Sequence, residues 1–365
     1  MTFLPMPPAR PAARLDGGSF PVERNRTEAM MCQPGTETIR AAIQLARRAP
    51  SVHNSQPWRW RFAGDELHLY ADRSRHLTAT DPEQRALVLS CGATLHHMRV
   101  ALSALGWASE VIYLPEPRVP DLLAGLRLAR HKPTGTDICL AAAILRRHSD
   151  RRRFGNGEIS RAHMRTAAHF ATRFGAEVRT VHDDARTRLG TLIGAAADRH
   201  ADDALYQVEL AEWSGRRRGA DGVPARNTTA VRPQDELPIR AFADSVLIDA
   251  AGAVDDAEWL IVCTRHDDRR ARLRAGETLS ALLLAATELD LATCVQTEPL
   301  GIPDLREEIR FSLCEGAYPQ AMVRAGWMHS SAGPLSETPR RPVDEVFSGA
   351  LESRPDAFIR RGSSV

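Results

Sequence analysis

Two stretches of this chain, 184 residues apart, repeat one pattern, and that repetition limits what the chain can fold into more than any other feature. Gly92-Ala93-Thr94-Leu95, followed by Ala101 and Leu105, recurs as Gly276-Glu277-Thr278-Leu279, followed by Ala285 and Leu289, with Met98 and Val100 opposite Leu282 and Leu284. Five identities in an Ala- and Leu-rich chain carry little weight alone, so the flanks decide. Leu67-His68-Leu69-Tyr70 then Arg73 precedes the first copy, and Leu260-Ile261-Val262-Cys263 then Arg265 precedes the second. The strand-then-helix order is the same. The gaps, 19 residues from Arg73 to Gly92 against 11 from Arg265 to Gly276, fit a change in loop length. Both helices carry apolar residues nearly all round, as expected of a helix buried between two halves. The chain reads as two similar halves fused in tandem.

The first half opens near Thr36, which is placed to cap a helix with Ile39, Ile43 and Ala46 on one face. Trp58, Trp60 and Phe62 then alternate along a strand, Ala63-Gly64-Asp65 turns the chain, and residues 66–70 return as a second strand. Upstream, residues 1–35 form a Pro-, Arg- and Ala-rich extension without the apolar core of a secretory signal; disorder is expected there, with Met30 or Met31 a candidate start. No apolar run approaches bilayer length, so no membrane partner is expected. The net charge is +2, with Arg spread among Asp and Glu, which gives no warrant for nucleic-acid binding. Cys32, Cys91, Cys139, Cys263, Cys294 and Cys314 contain no Cys-x-x-Cys pair, which argues against a disulfide framework or a metal site and for a cytoplasmic location. Cys91 and Cys294 read as small apolar residues at the ends of buried helices.

Three segments carry chemistry. Residues 47–59, Arg-Arg-Ala-Pro-Ser-Val-His-Asn-Ser-Gln-Pro-Trp-Arg, leave a helix through a loop crowded with donors and acceptors. Pro50 ends the helix and Pro57 releases the chain into the strand. Between them Ser51, Asn54 and Gln56 could bond a planar polar ligand, or could simply stitch a well-capped turn. Residues 146–154, Arg-Arg-His-Ser-Asp-Arg-Arg-Arg-Phe, offer guanidinium forks and a hydroxyl of the kind a phosphate monoester needs, though a solvated basic helix end has the same composition. Residues 212–226 are polar, Gly-rich and basic around the turn signal Asp221-Gly222-Val223-Pro224, and are compatible with a long exposed loop.

Pro50-Ser51, Asn54 and Gln56-Pro57-Trp58 match the Pro-Ser-x-x-Asn-x-Gln-Pro-Trp loop of the FMN-dependent nitroreductase family, and the fuller run through Trp60 resembles its mycobacterial Acg branch. In ordinary nitroreductases this loop crosses a dimer interface to the flavin held by the partner subunit. The resemblance implies that the tandem halves imitate that dimer. Arg147-His148-Ser149-x-Arg151 is similar to the family's FMN-phosphate segment, and Arg340-Arg341-Pro342 after Gly326-Trp327 to its closing Arg-Pro element. Asp150 departs from the usual small or apolar residue and must point away or bond Arg. The Asp-Gly-Val-Pro segment resembles the lid of Acg-type proteins. Motif distribution is asymmetric: the first half has the Asn/Gln loop without a phosphate signature, and the second has the signature without the loop.

The resemblance thus implies an α+β nitroreductase fold of two pseudo-repeated halves, at 36–143 and 144–345, with a lid at about 212–230 and a C-terminal tail at 346–365. The implied cofactor is one FMN, held by Ser51, Asn54, Gln56, Arg147, His148, Ser149, Arg151, Arg340 and Arg341, with backbone 293–297 facing the ring edge. NADH or NADPH would reduce it, a nitro compound or quinone would be the small-molecule acceptor, and no side chain need act as acid or nucleophile. A monomer becomes possible because the interface is internal. The alternative is a silent protein that sequesters FMN under its lid.

Overall fold

The computed structural model describes residues 33–63, 65–155, 157, 159–215, 219–230, 240–249 and 255–349. The expectation of disorder for the N-terminal extension falls on residues outside these, apart from residues 33–35.

In chain order the principal elements of the expected first half are α1 (Thr36–Ala46), β1 (Trp58–Ala63), β2 (Glu66–Ala71), α2 (Arg85–Ala104), β3 (Trp107–Tyr113), β4 (Leu122–Arg130) and α3 (Gly135–Arg146), which runs across the expected boundary at 143/144. Those of the expected second half are α4 (Arg161–Thr172), β5 (Glu177–Val181), α5 (Asp183–Asp202), α6 (Ala204–Glu212), β6 (Glu258–Thr264), α7 (Arg269–Glu288), β7 (Ala292–Gln296), α8 (Pro303–Leu313) and β8 (Tyr318–Met328), and β9 (Phe347–Ser348) lies in the expected tail. One sheet runs β9-β1-β2-β4-β3 and the other β7-β8-β6-β5. Without β9, each sheet threads its four strands in the order first, second, fourth, third. All of those pairings are antiparallel, and β9 joins β1 in parallel through Trp60↔Phe347 and Arg61↔Ser348. The C-terminal segment thus completes the sheet of the first half.

The two repeated helices, α2 and α7, pack directly against each other, and their repeated glycines meet. A Cβ on Gly92 would stand 1.9 Å from Leu273 O and 2.9 Å from Gly276 Cα; one on Gly276 would stand 2.0 Å from Leu89 O. Only backbone fits at this crossing. Burial is nearly continuous along both helices, as their apolar circumference requires. Asp81 accepts from the backbone N–H groups of Ala86 and Leu87 and so satisfies the start of α2, while Asp268 accepts from Ala271 N to cap α7.

In the first sheet Trp58, Trp60 and Phe62 point inward against Ile39, Ile43 and Ala46 of α1, with Arg59 and Arg61 outward. Helix α1 starts one residue earlier than its sequence suggests: Gly35 is the cap, and no side chain makes a capping bond. Its end also comes early, at Ala46, so that residues 47–49 form a turn ahead of Pro50.

Candidate functional site

The polar loop behind α1 is held in an unusual shape. His53, Asn54 and Gln56 all have positive φ, near +50°, a region that Asn tolerates and that His and Gln adopt at some cost. Ser51 Oγ accepts from Gln56 N at 2.9 Å and closes the turn. The arginine-rich segment approaches from the other half. It leaves α3 in extended geometry at Arg147, and Ser149 makes a parallel bridge to Thr293 while Asp150 N–H donates to Thr293 O at 2.9 Å. Residues 147–151 are thereby fixed beside β7.

Two adjoining cavities lie between these segments. One is lined by Arg48, Pro50, Ser51, Asn54, Arg147, His148, Ser149, Arg151, Val223, Thr338 and Arg340. The other runs inward between the repeated helices, where Leu89, Ala93, Leu279 and Val295 give it apolar walls and His53, Ser90, Arg151, Arg240, Phe242, Gln296 and Thr297 add polar and aromatic ones. Pro50, Ser51, Ser149 and Arg151 line both. The arrangement is a pair of adjoining cavities, one cationic and one with mixed apolar and polar walls.

The cationic end gathers four guanidiniums and lacks a counter-charge to match. Arg147 is buried, donates one bond, to Arg48 O at 3.2 Å, and leaves Nε and Nη1 without partners. Arg340 donates to Asn54 Oδ1 at 2.8 Å and to Arg48 O at 3.2 Å, with Nε unpartnered. Burial, and then repulsion from Arg48, pulls Arg147 down to about 10; burial, and then Arg147, Arg48 and Arg47, pulls Arg340 down to about 9. His148 is lowered by burial and by Arg147, which favours its neutral form. Glu337, at the exposed rim, pairs with Arg48 at 3.2 Å. Buried donors without partners, beside mutually repelling cations and an open cavity, describe a receptor for an anion.

The expected site residues therefore divide. Ser51, Arg147, His148, Ser149, Arg151 and Arg340 do meet around the cavities, and backbone 295–297 lines the inner one. Gln56 and Arg341 line neither. Gln56 is fully buried: its Nε2 donates to Ala220 O at 3.0 Å and to Asn54 O at 3.3 Å, and its Oε1 accepts from Arg341 N at 2.9 Å. Arg341 donates to Gln56 O and pairs with Glu345 and Asp72. Asn54 borders the cationic cavity, but both of its amide edges are committed, through Nδ2 to Gly222 O and Pro339 O at 3.0 Å and through Oδ1 to Arg340. The two amides bind the chain, at Ala220 and Gly222 in particular, rather than offering themselves to a ligand. Asp150 bonds Arg152 through both carboxylate oxygens, as an acid beside an anion site must.

Arg240 and Phe242 were not legible, since they sit in a mixed, mostly apolar stretch with no motif. His53 was an unassigned position inside the loop motif; its left-handed backbone gave no signal in the sequence. Position 93 also matters: Ala93 lines the inner cavity, whereas its repeat, Glu277, is buried and bound to Arg99 at 2.7 Å and to Tyr113 OH at 2.6 Å. Among the described residues no group of His, Cys, Asp and Glu could hold a metal ion, and no helix is long and apolar enough to cross a membrane.

No family model matches the chain. A Mycobacterium tuberculosis protein with a provisional NAD(P)H nitroreductase name is 42% identical over 317 residues, which covers 86% of this chain and 92% of the relative. A second from the same organism, provisionally named NAD(P)H nitroreductase acg, is 34% identical over 319 residues, 86% of this chain and 96% of its own. Among solved structures, a provisionally named nitroreductase from Anabaena variabilis aligns with a TM-score of 0.43 at 10% identity, over 87% of this chain and 96% of that one. A Bacteroides fragilis nitroreductase with bound FMN aligns with a TM-score of 0.36 at 14% identity, over 55% and 93%.

Proposed function

Because the chain belongs to the nitroreductase family, we propose that its two adjoining cavities form a single FMN site in an NAD(P)H-dependent flavoprotein oxidoreductase. The observation that carries this reading is the cluster of Arg48, Arg147, Arg151 and Arg340 around one cavity, with Arg147 Nε and Nη1 and Arg340 Nε left without hydrogen-bond partners, beside a second cavity that Leu89, Ala93 and Leu279 of the central helices line. Arg147, Arg151 and Arg340 would hold the phosphate, with Ser149 and neutral His148 donating, and Ser51 would lie along the ribityl chain. Leu89, Ala93, Leu279 and Val295 would pack the ring. When bound, FMN would supply the redox chemistry, taking hydride from NADH or NADPH and passing electrons to a nitro or quinone acceptor. The chain's own part is to bind, orient and screen the ring from water.

The halves at 36–143 and 144–345 would be the two members of an internal pseudo-dimer, in keeping with their shared strand order and the meeting of Gly92 and Gly276. One FMN per chain is the expectation, supported by the difference between Ala93, which lines the inner cavity, and its repeat Glu277, which is buried against Arg99 and Tyr113. A flavin-loaded monomer follows too.

A second reading has an observation of its own. Gln56 and Asn54 bond Ala220 O and Gly222 O, Asp221 pairs with Arg75, and Phe242 lines the ring end. These contacts tie a cover over the site, which suits a protein that sequesters FMN. Saturating the purified chain with FMN, measuring the ratio, and mixing it anaerobically with NADPH tests both readings. Rapid bleaching at 450 nm, roughly the oxidised-flavin band, is the expected result for the oxidoreductase. Bound flavin that ignores NADPH selects sequestration, and failure to bind FMN removes both.

A further inference from the structure

With Asn54 and Gln56 committed to the chain, the ring end of the cavity must be recognised by other groups. Ser90 Oγ donates to Ala86 O at 2.7 Å, and Gln296 Nε2 rests 3.8 Å from Cys294 Sγ. Arg151 borders both cavities and donates to Asn227 O at 3.2 Å, with its guanidinium over the Phe242 ring. Two lining residues remain that each keep one buried nitrogen without a hydrogen bond. His53, 4% exposed, has Nε2 3.3 Å from Thr80 Oγ1 and no hydrogen-bond partner at Nδ1. Arg240, 8% exposed, has no hydrogen-bond partner at Nε; its nearest carboxylate oxygen, Glu298 Oε1, is 3.7 Å away. They come from separate segments, the strained loop and residues 240–249, and the His53 ring meets the Phe242 ring edge-on at 6.0 Å.

Buried polar atoms in a folded protein nearly always have partners, so two orphans lining one cavity indicate a missing ligand with polar atoms on its rim. Their chemistry also differs in a useful way. His53 is held neutral by burial, with Arg240 and Arg151 adding to the effect, so it offers one donor or one acceptor. Arg240 stays charged: Tyr206 and Glu298 raise it against the opposing effect of burial. Glu298 is in turn 3.5 Å from His200 Nδ1, and the His200 ring stacks on Tyr206 at 3.8 Å. Behind Arg240 stands a built support.

We propose that His53 and Arg240 are the residues that read the polar edge of the flavin ring, His53 through a neutral hydrogen bond and Arg240 through a charge-assisted bond to a ring oxygen, with Glu298 as the positioning residue for Arg240. This inference rests on the FMN reading above. It replaces the two motif amides as ring contacts and adds a property they could not confer. A guanidinium beside the ring in a low-dielectric slot stabilises the negatively charged reduced form over the neutral oxidised one, and so raises the midpoint potential.

The test uses full-length protein, titrated with FMN and with riboflavin, together with spectroelectrochemical potentials of the FMN-loaded forms. His53→Ala should weaken FMN and riboflavin alike, by about two- to tenfold, the range for one neutral hydrogen bond. Arg240→Met should weaken both by about tenfold to a hundredfold and lower the potential. Arg240→Lys, which keeps the charge and loses the fork, should retain most of the potential while losing affinity, and Glu298→Gln should fall between wild type and Arg240→Met. Circular dichroism identifies a variant that has not folded, in which case the lysine and glutamine variants decide. Unchanged riboflavin affinity and potential in the folded Arg240 and His53 variants, while Arg147→Met still loses FMN, would overturn the inference and leave the FMN site standing. A wild-type chain that binds neither flavin would overturn both.

Discussion

Replacing Arg147 by Met should stabilise the empty protein and cripple the loaded one. Arg147 is buried, and its guanidinium is depressed from 12.5 to about 10 by burial and by Arg48. That depression corresponds to on the order of 3 kcal/mol of destabilisation carried by the charged form in the folded state. The sign follows from proton linkage. A base whose folded pKa is lowered is less content charged in the native state than in the unfolded one, so the penalty is fully present below pH 10, roughly the folded value, and fades only as the pH rises towards the unfolded one. Met fills a similar volume and removes the charge, at the loss of the bond to Arg48 O, about 0.5 to 1.5 kcal/mol. The net expectation is an apoprotein more stable by roughly 1.5 to 2.5 kcal/mol, with a difference that stays flat between about pH 6 and 9. FMN affinity should fall by about tenfold to over a hundredfold, the equivalent of a charge-assisted bond of 1.5 to 3 kcal/mol, while riboflavin binding stays unchanged. Urea denaturation of flavin-free protein and fluorescence titration of both flavins measure the two halves. A variant that is less stable when empty, or that holds FMN as well as wild type does, refutes the view of Arg147 as a strained anion receptor.

The central helices supply a pH prediction: His96 and His97 are buried, both ring Nδ1 atoms meet Ser280 Oγ at 2.8 and 2.7 Å, and burial lowers His96 to about 3 and His97 well below its usual value. The unfolded chain therefore takes up protons below about pH 6.5 that the folded one refuses, so stability present above that pH should fall by about 1.4 kcal/mol per pH unit per histidine on acidification; a His96→Gln variant with an equally steep acid limb would count against this. Gly92→Ala should destabilise by more than about 3 kcal/mol or abolish soluble expression, because its Cβ would lie 1.9 Å from Leu273 O; a loss under about 1 kcal/mol in denaturation would show that the crossing can open. Asn54→Ala removes the bonds to Gly222 O and Pro339 O and frees Arg340, so limited proteolysis should cut within residues 219–230 faster, with riboflavin affinity nearly unchanged; equal cleavage rates would argue that the lid is held elsewhere.

Much of the architecture was legible because it rests on local pattern. A 184-residue offset between two all-round apolar helices indicated an internal interface, and the structure puts those helices together with their repeated glycines in contact. Trp58, Trp60 and Phe62 gave the inward face of β1 by alternation alone. The caps were less legible, since Thr36 as a helix cap satisfied the usual preference and Gly35 took the position instead.

By itself, then, the sequence determined the buried central helices, and it singled out the two segments, 50–57 and 147–151, that border the proposed site. Periodicity, prolines and short runs of arginine act over a few residues, and their consequences can be read where they stand. Which polar groups remain open to a ligand was decided only by the tertiary structure. Asn54 and Gln56 have the right chemistry for a ring, but Gly222 O and Ala220 O arrive from 168 and 164 residues away and Arg341 N from 285, and these take their hydrogen bonds first. Arg240 carries no motif and His53 is an unassigned position within one, yet beside a cavity each keeps one buried nitrogen without a hydrogen bond. A side chain's donors and acceptors are fixed by its type; whether they are satisfied depends on what the rest of the chain brings within about 3 Å.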